Sequence, residues 1–213
     1  MPLKKLSICQ QTLSPDKYFR EVVDKRQICI HYTASGLDAK GVIRGWEHSE
    51  GHVCTQYVID RDGKIYECFD HGFWGYHLGI KYVDMLPVYK KRLDKICIGI
   101  ELCNWGWLDK RGNKYVTWSG KELQYKDVIA LQHKDKNYFE DITDEMVSSL
   151  RELIYMLSYK NDITKEIKGD IFSYNSHALS GESGIYTHNS YRKDKYDMYP
   201  HPKLVSMLSS LYD

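Results

Sequence analysis

At 213 residues and 42% apolar content, the chain is long enough for one domain with a sizeable core. Its 30 lysines and arginines stand against 29 aspartates and glutamates, and the formal charge of +1 supplies no global field to draw it onto nucleic acid or an anionic membrane. Any specificity must come from a local site.

The N-terminal "MPLKKLSICQQ" has two lysines but no apolar run of signal-peptide length, and no segment approaches the ~20 apolar residues of a membrane span. The expectation is synthesis in the cytoplasm, no membrane insertion, and export only by another route. The first predicted strand is "QICIHYTA" (27–34), nearly continuous in apolar character, as central strands tend to be. "LDAKGVIRGWEHSE" (37–50) reads as a helix with Val42, Ile43 and Trp46 on one side. "VCTQYVID" (53–60) and "KIYECFD" (64–70) flank the turn signal "RDG" and read as a hairpin. A second central strand is "ICIGIELC" (96–103).

Residues 104–141 hold tryptophans and tyrosines near lysines, with weak periodicity. They read equally well as a β-rich flap beside a site or as an irregular surface insertion. "TDEMVSSLRELIYMLSYK" (143–160) is a clear helix: Thr143 can cap it, and Met146, Leu150, Leu153, Ile154 and Leu157 trace a stripe. "GIYTHNSYRKDKYDMYPHP" (184–202) has neither period and reads as an ordered loop. A last helix starts after Pro202 with Leu204, Val205, Leu208 and Leu211 facing inward. No repeat or linker divides the chain. The sum is an α/β fold, a single domain over 1–213 with a central mixed β-sheet flanked by helices, its core about 27–211 and an insertion about 104–141.

Six cysteines never occur as C-x-x-C, and four sit in strand-like runs, so they read as buried thiols. The ionisable residues are more informative. His31 ends the buried strand "ICIH", where a side chain can be aimed rigidly at a cleft, although a structural role is open to it as well. His188 and Asp197 are nine residues apart, too far for one helical face but suited to two arms of a loop. Two histidines and a carboxylate are a ligand set for catalytic zinc, with one position left for water. Glu101, inside "CIGIELC", is costly in an apolar strand unless it is paired or working. It is either half of a structural salt bridge or a general base.

The series "IHYTAS", "YVIDRDGKIYECFD", "YHLG", "IGIEL" and "THNSYRKDKYD" resembles the zinc-dependent N-acetylmuramoyl-L-alanine amidases, a family shared by phage endolysins, bacterial autolysins and peptidoglycan recognition proteins. The resemblance runs from about Gln27 to Leu211. It implies a Zn2+ held in a surface groove by His31, His188 and Asp197, the last a position that some members fill with cysteine. It makes Lys195 the stabiliser of the oxyanion, Glu101 the base, and His77 a residue of the substrate groove. The tyrosine that assists water in one branch is replaced by Thr55, with Tyr57 out of register, which moves the base role to Glu101. Thr55, His77 and Trp105 are the expected substrate-binding residues.

The implied reaction is hydrolysis of the amide between N-acetylmuramic acid and the L-alanine of the stem peptide, by a monomer whose partner is peptidoglycan or a muropeptide. Endolysin or autolysin is the expected branch. A cytosolic enzyme that recycles muropeptides is the alternative, as is a peptidoglycan-binding module without catalysis, against which all three ligand positions count. A nucleic-acid protein would have to use "KRGNKY" (110–115) and "YKK" (89–91), but basic residues alternating with acids read as a solvated face.

Overall fold

The computed structural model describes residues 6–80 and 93–211; the "YKK" run lies outside them. In chain order its main elements begin with β1 (Ile8–Gln10), β2 (Gln27–Tyr32), α1 (Ala39–His48), β3 (Tyr57–Ile59), β4 (Ile65–Glu67) and β5 (Cys97–Leu102). Next come β6 (Asp109–Arg111), β7 (Lys114–Val116), β8 (Glu122–Leu123), β9 (Val128–His133) and β10 (Lys136–Glu140). The chain closes with α2 (Asp144–Asn161), α3 (Ser176–Leu179), β11 (Gly184–Thr187), α4 (His188–Tyr191) and α5 (Pro202–Ser209).

The central sheet has the order β1-β4-β3-β5-β2-β11, and every neighbouring pair is parallel except the β3–β4 hairpin. This is the mixed α/β sheet expected from the sequence. The hairpin strands are three residues each, shorter than the runs that suggested them. Gly63 makes the turn possible: its φ is +80°, and a side chain there would run into the Glu145 carbonyl at 2.8 Å.

Alternation along the strands assigns the two faces. Tyr57, Ile59 and Ile65 join the larger core with α2 and α5, while Val58 and Tyr66 join a smaller one with Ala39, Val42 and Ile43 of α1. Thr143 caps α2 by accepting from the Met146 N–H at 3.1 Å, and the stripe from Met146 to Leu157 is buried. Pro202 opens α5, where Leu204, Leu208 and Leu211 point inward together with Met207. Val205 does not: it is 40% exposed, because it lies about 100° around the helix from the 204–208–211 line.

Residues 184–202 also differ from expectation. The stretch is not a loop throughout but begins with β11, which pairs with β2, and continues as a turn of helix. All four β11 residues are buried, so the strand has no polar–apolar alternation to betray it. Residues 104–141 contain two small antiparallel sheets, β6-β7-β8 and β9-β10, so of the two readings the β-rich one describes them. The six cysteines are free thiols, all buried except Cys9. No described helix is long and apolar enough to cross a membrane.

Candidate active site

Parallel pairing brings the expected site residues together. His31 lies opposite Glu101 in the β2–β5 register, so neighbouring strands present both side chains on the α1 side of the sheet. Thr187 is paired with Ile30, so His188, the next residue after β11, emerges beside His31 at the same end of the sheet. The chain then returns through residues 192–196 and delivers Asp197, whose carbonyl accepts from the Asn189 N–H at 2.9 Å.

Three buried donor atoms converge. His31 Nδ1 is 3.1 Å from His188 Nδ1 and 3.1 Å from Asp197 Oδ2, and His188 Nδ1 is 2.8 Å from the same carboxylate oxygen. The proton positions follow from the partners. His188 Nε2 faces the Leu78 carbonyl at 2.8 Å and donates to it, while its Nδ1 faces the convergence point. His77 Nε2 faces the Cys97 carbonyl at 3.4 Å, and its Nδ1 shares a hydrogen bond with His31 Nε2 at 3.0 Å. With Nε2 held by His77, His31 points Nδ1 at the convergence point.

Burial, with His188 adding to it, pushes the His31 pKa down to about 3 and keeps the ring neutral. For Asp197, burial acts upward, but His188 and His31 more than offset it and hold the carboxyl below the usual range. Neutral imidazoles with an ionised carboxylate are the forms that bind a divalent cation. The three residues form a candidate metal group, and Cys29, His31 and His77 form a second that shares His31. In the first set an ion would replace the contacts of the two Nδ1 atoms with Asp197 Oδ2, whereas the second would have to break the His31–His77 hydrogen bond.

A cleft of about 350 Å³ opens over the three donors, bordered also by Thr55, Glu101 and Lys195. Glu101 is half-buried as a residue, yet its Oε2 is sealed from solvent without a hydrogen-bond partner among the described residues. Burial pushes its pKa well up, Asp197 adds to this, and Lys195 opposes it. Thr55 donates its hydroxyl to the Tyr57 carbonyl at 3.0 Å. Tyr57 itself is turned away, its hydroxyl on Glu67 at 2.9 Å.

Two expected groove residues sit differently from the rest. His77 borders the cleft but is buried, with its ring nitrogens on His31 and Cys97. Trp105 does not reach this cleft. It packs on the Gly36 backbone and lines a separate cavity of about 590 Å³ with Arg61 and Lys121. The cleft wall contains aromatic residues that the sequence reading left in the core or unremarked: Trp46 at the end of α1, Tyr76 beside His77, and Tyr196 beside Lys195.

Comparison with known proteins decides the family. The family model described as N-acetylmuramoyl-L-alanine amidase matches residues 21–202. The chain belongs to this amidase family. As a member it is a peptidoglycan amidase, a hydrolase of the amide between the muramic acid and the stem peptide. No curated protein matches it significantly in sequence.

Solved structures share the amidase fold at low identity. PlyL has a TM-score of 0.56 at 12% identity, covering 97% of this chain and 97% of that one. A mutant endolysin from Bacillus subtilis has a TM-score of 0.55 at 15% identity, over 97% and 96% of the two chains. The N-acetylmuramoyl-L-alanine amidase LysC from Clostridium intestinale URNW has a TM-score of 0.50 at 14% identity, over 97% of each.

Proposed function

We propose that this amidase is a zinc enzyme in which His31 Nδ1, His188 Nδ1 and Asp197 Oδ2 hold the ion, Glu101 is the general base and Lys195 stabilises the oxyanion. The observation that carries the proposal is the convergence of two imidazole nitrogens and a carboxylate oxygen, all buried, next to a buried Glu101 oxygen that has no hydrogen-bond partner among the described residues. Two imidazoles and one carboxylate are a recognised catalytic zinc set. When bound, the ion supplies the positive charge that makes a water acidic near neutral pH and polarises a carbonyl.

The chain's own groups divide the remaining work. The Glu101 carboxylate takes the proton of the attacking water and returns it to the departing L-alanine nitrogen. Lys195 Nζ, on the cleft wall, donates to the carbonyl oxygen as negative charge gathers on it. Removing that donor by Lys195→Ala is expected to lower turnover of a soluble muropeptide by roughly 100- to 1000-fold, the usual cost of one lost oxyanion donor. Retained turnover at full zinc content would take the role away from Lys195.

His77 acts one step back from the metal by fixing the tautomer of His31. Zinc affinity in His77→Phe is expected to fall by roughly 10- to 100-fold, read by competition with a chromophoric chelator. A glutamine there keeps an acceptor for the His31 N–H and should recover much of the loss. Equal affinities in the wild type and the phenylalanine variant would reject this role.

The biological branch we propose is cell-wall lysis, in line with the fold shared with an endolysin. Intact sacculi and soluble muropeptides offered side by side, with products resolved by mass, test it. Activity confined to soluble muropeptides would instead place the enzyme among those that recycle wall fragments. Binding without any cleavage at full zinc content would mark a recognition module.

A further inference from the structure

The chain segment 192–196 carries Lys195 over the cleft, and it is gripped by an element with no part in the chemistry described so far. The turn between β9 and β10 places Lys134 and Asp135 against it. Lys134 Nζ donates to the Lys193 carbonyl at 3.0 Å and to the Lys195 carbonyl, and it lies 5.3 Å from the centre of the Tyr196 ring. Asp135 Oδ1 accepts the Tyr196 hydroxyl at 2.6 Å, and Trp107 flanks the same ring at 6.5 Å. Contacts to residues 193, 195 and 196 thus bracket the backbone and the next side chain of Lys195.

The hairpin is itself rooted in the core. Phe139 of β10 is fully buried and stacks on Tyr199 at 4.3 Å, and the Leu108 N–H donates to the Tyr138 carbonyl at 2.8 Å. A rigid base with a polar tip can fix the backbone of a loop. Within the loop Arg192 pairs with the Asp194 carboxylate at 3.0 and 2.6 Å, but the Lys195 N–H reaches the Arg192 carbonyl only at 3.4 Å. Asp197, in contrast, is anchored from the other side: Asn189 holds its carbonyl through the backbone N–H and the Met198 carbonyl through Nδ2 at 2.6 Å.

We infer that the β9–β10 turn is a positioning clamp for the oxyanion lysine, with Lys134 and Asp135 as positioning residues that hold the 193–196 backbone so that Lys195 Nζ meets the reacting carbonyl. This rests on the role of Lys195 proposed above. Because Lys195 and Asp197 have separate anchors, the clamp governs turnover and leaves the metal ligands alone. A displacement of about 1 Å at a reacting group can cost on the order of 100-fold in rate.

The test compares Lys134→Met, Lys134→Arg, Lys195→Ala and the double variant Lys134→Met/Lys195→Ala in the full chain. Lys134→Met should lose between about 10- and 100-fold in kcat, with KM and zinc affinity unchanged and with faster amide hydrogen exchange over 193–196. Lys134→Arg, which keeps the charge and the donors, should recover most of the kcat. The double variant should be no slower than Lys195→Ala alone, since Lys134 acts through Lys195. An inactive Lys195→Ala beside a fully active Lys134→Met, or a double variant slower than Lys195→Ala, would overturn the clamp alone. Full turnover in Lys195→Ala would overturn the oxyanion reading first, and the clamp with it.

Discussion

Glu101→Gln is expected to keep a full complement of metal while amide hydrolysis falls by about 100- to 10,000-fold, the range that a positioned general base contributes. Metal content and muropeptide turnover, measured on the same sample, check it. The reasoning is local. Glu101 stands opposite His31 across one pair of parallel strands, and its Oε2 is a buried acceptor with no donor among the described residues. Such an atom is expensive to keep, unless a proton arrives there during turnover. Glutamine has nearly the same shape and no basicity, so it separates the base from the scaffold. Turnover that survives the change would move the base role to another group, and Tyr57 is not available for it, being bonded to Glu67 outside the cleft.

The same substitution has a thermodynamic signature. Burial, with Asp197 next, raises the Glu101 pKa above its ordinary 4.5, so the metal-free folded chain holds this proton at pH values where the unfolded chain has released it. The group's contribution to stability therefore declines as pH rises from below 4.5 toward the raised value. In metal-free protein, Glu101→Gln should flatten that decline and leave the variant more resistant to urea than the wild type at neutral pH. If Glu101 is the base proposed above, it is kept at the expense of stability.

How much of this was legible in the sequence depended on how local the cause was. The α2 helix announced itself because its cap, its acidic first turn and its stripe all lie within 18 consecutive residues. His31 and Glu101 were legible because each interrupts or ends an apolar strand, where a polar group needs a reason. That they face one another depends on the register of β2 with β5, which no local pattern encodes. β11 was hidden since a fully buried four-residue strand shows no alternation.

The groove residues show where composition stops being informative. Trp105 is aromatic and lies soon after a site-bearing strand, yet the chain turns it onto Gly36 and into a different cavity. His77 looked like a groove residue, while its burial beneath His31 depends on tertiary packing. The grip of Lys134 on the 193–196 segment joins residues about 60 positions apart through an exposed turn, for which a sequence carries no signal. Parallel sheets gather their functional groups at strand ends, and the pairing order decides which ends meet.

Asp197 offers the sharpest test of the metal set, because its charge and its geometry can be varied separately. In Asp197→Ala two neutral imidazoles remain, and zinc affinity is expected to fall by more than about 100-fold, beyond what loss of a supporting contact costs. Hydrolysis should fall with it, because the ion would supply the activation. Asp197→Asn keeps an oxygen donor and loses the charge, so it should bind zinc more weakly than the wild type and better than alanine. Asp197→Cys supplies a thiolate, an equally anionic zinc ligand, and should restore near-stoichiometric metal with substantial turnover. Zinc per chain after exhaustive dialysis gives the order: wild type and cysteine high, asparagine lower, alanine near zero. Full metal content in Asp197→Ala would place the ion elsewhere, and the group of Cys29, His31 and His77 would then be the next set of donors to remove.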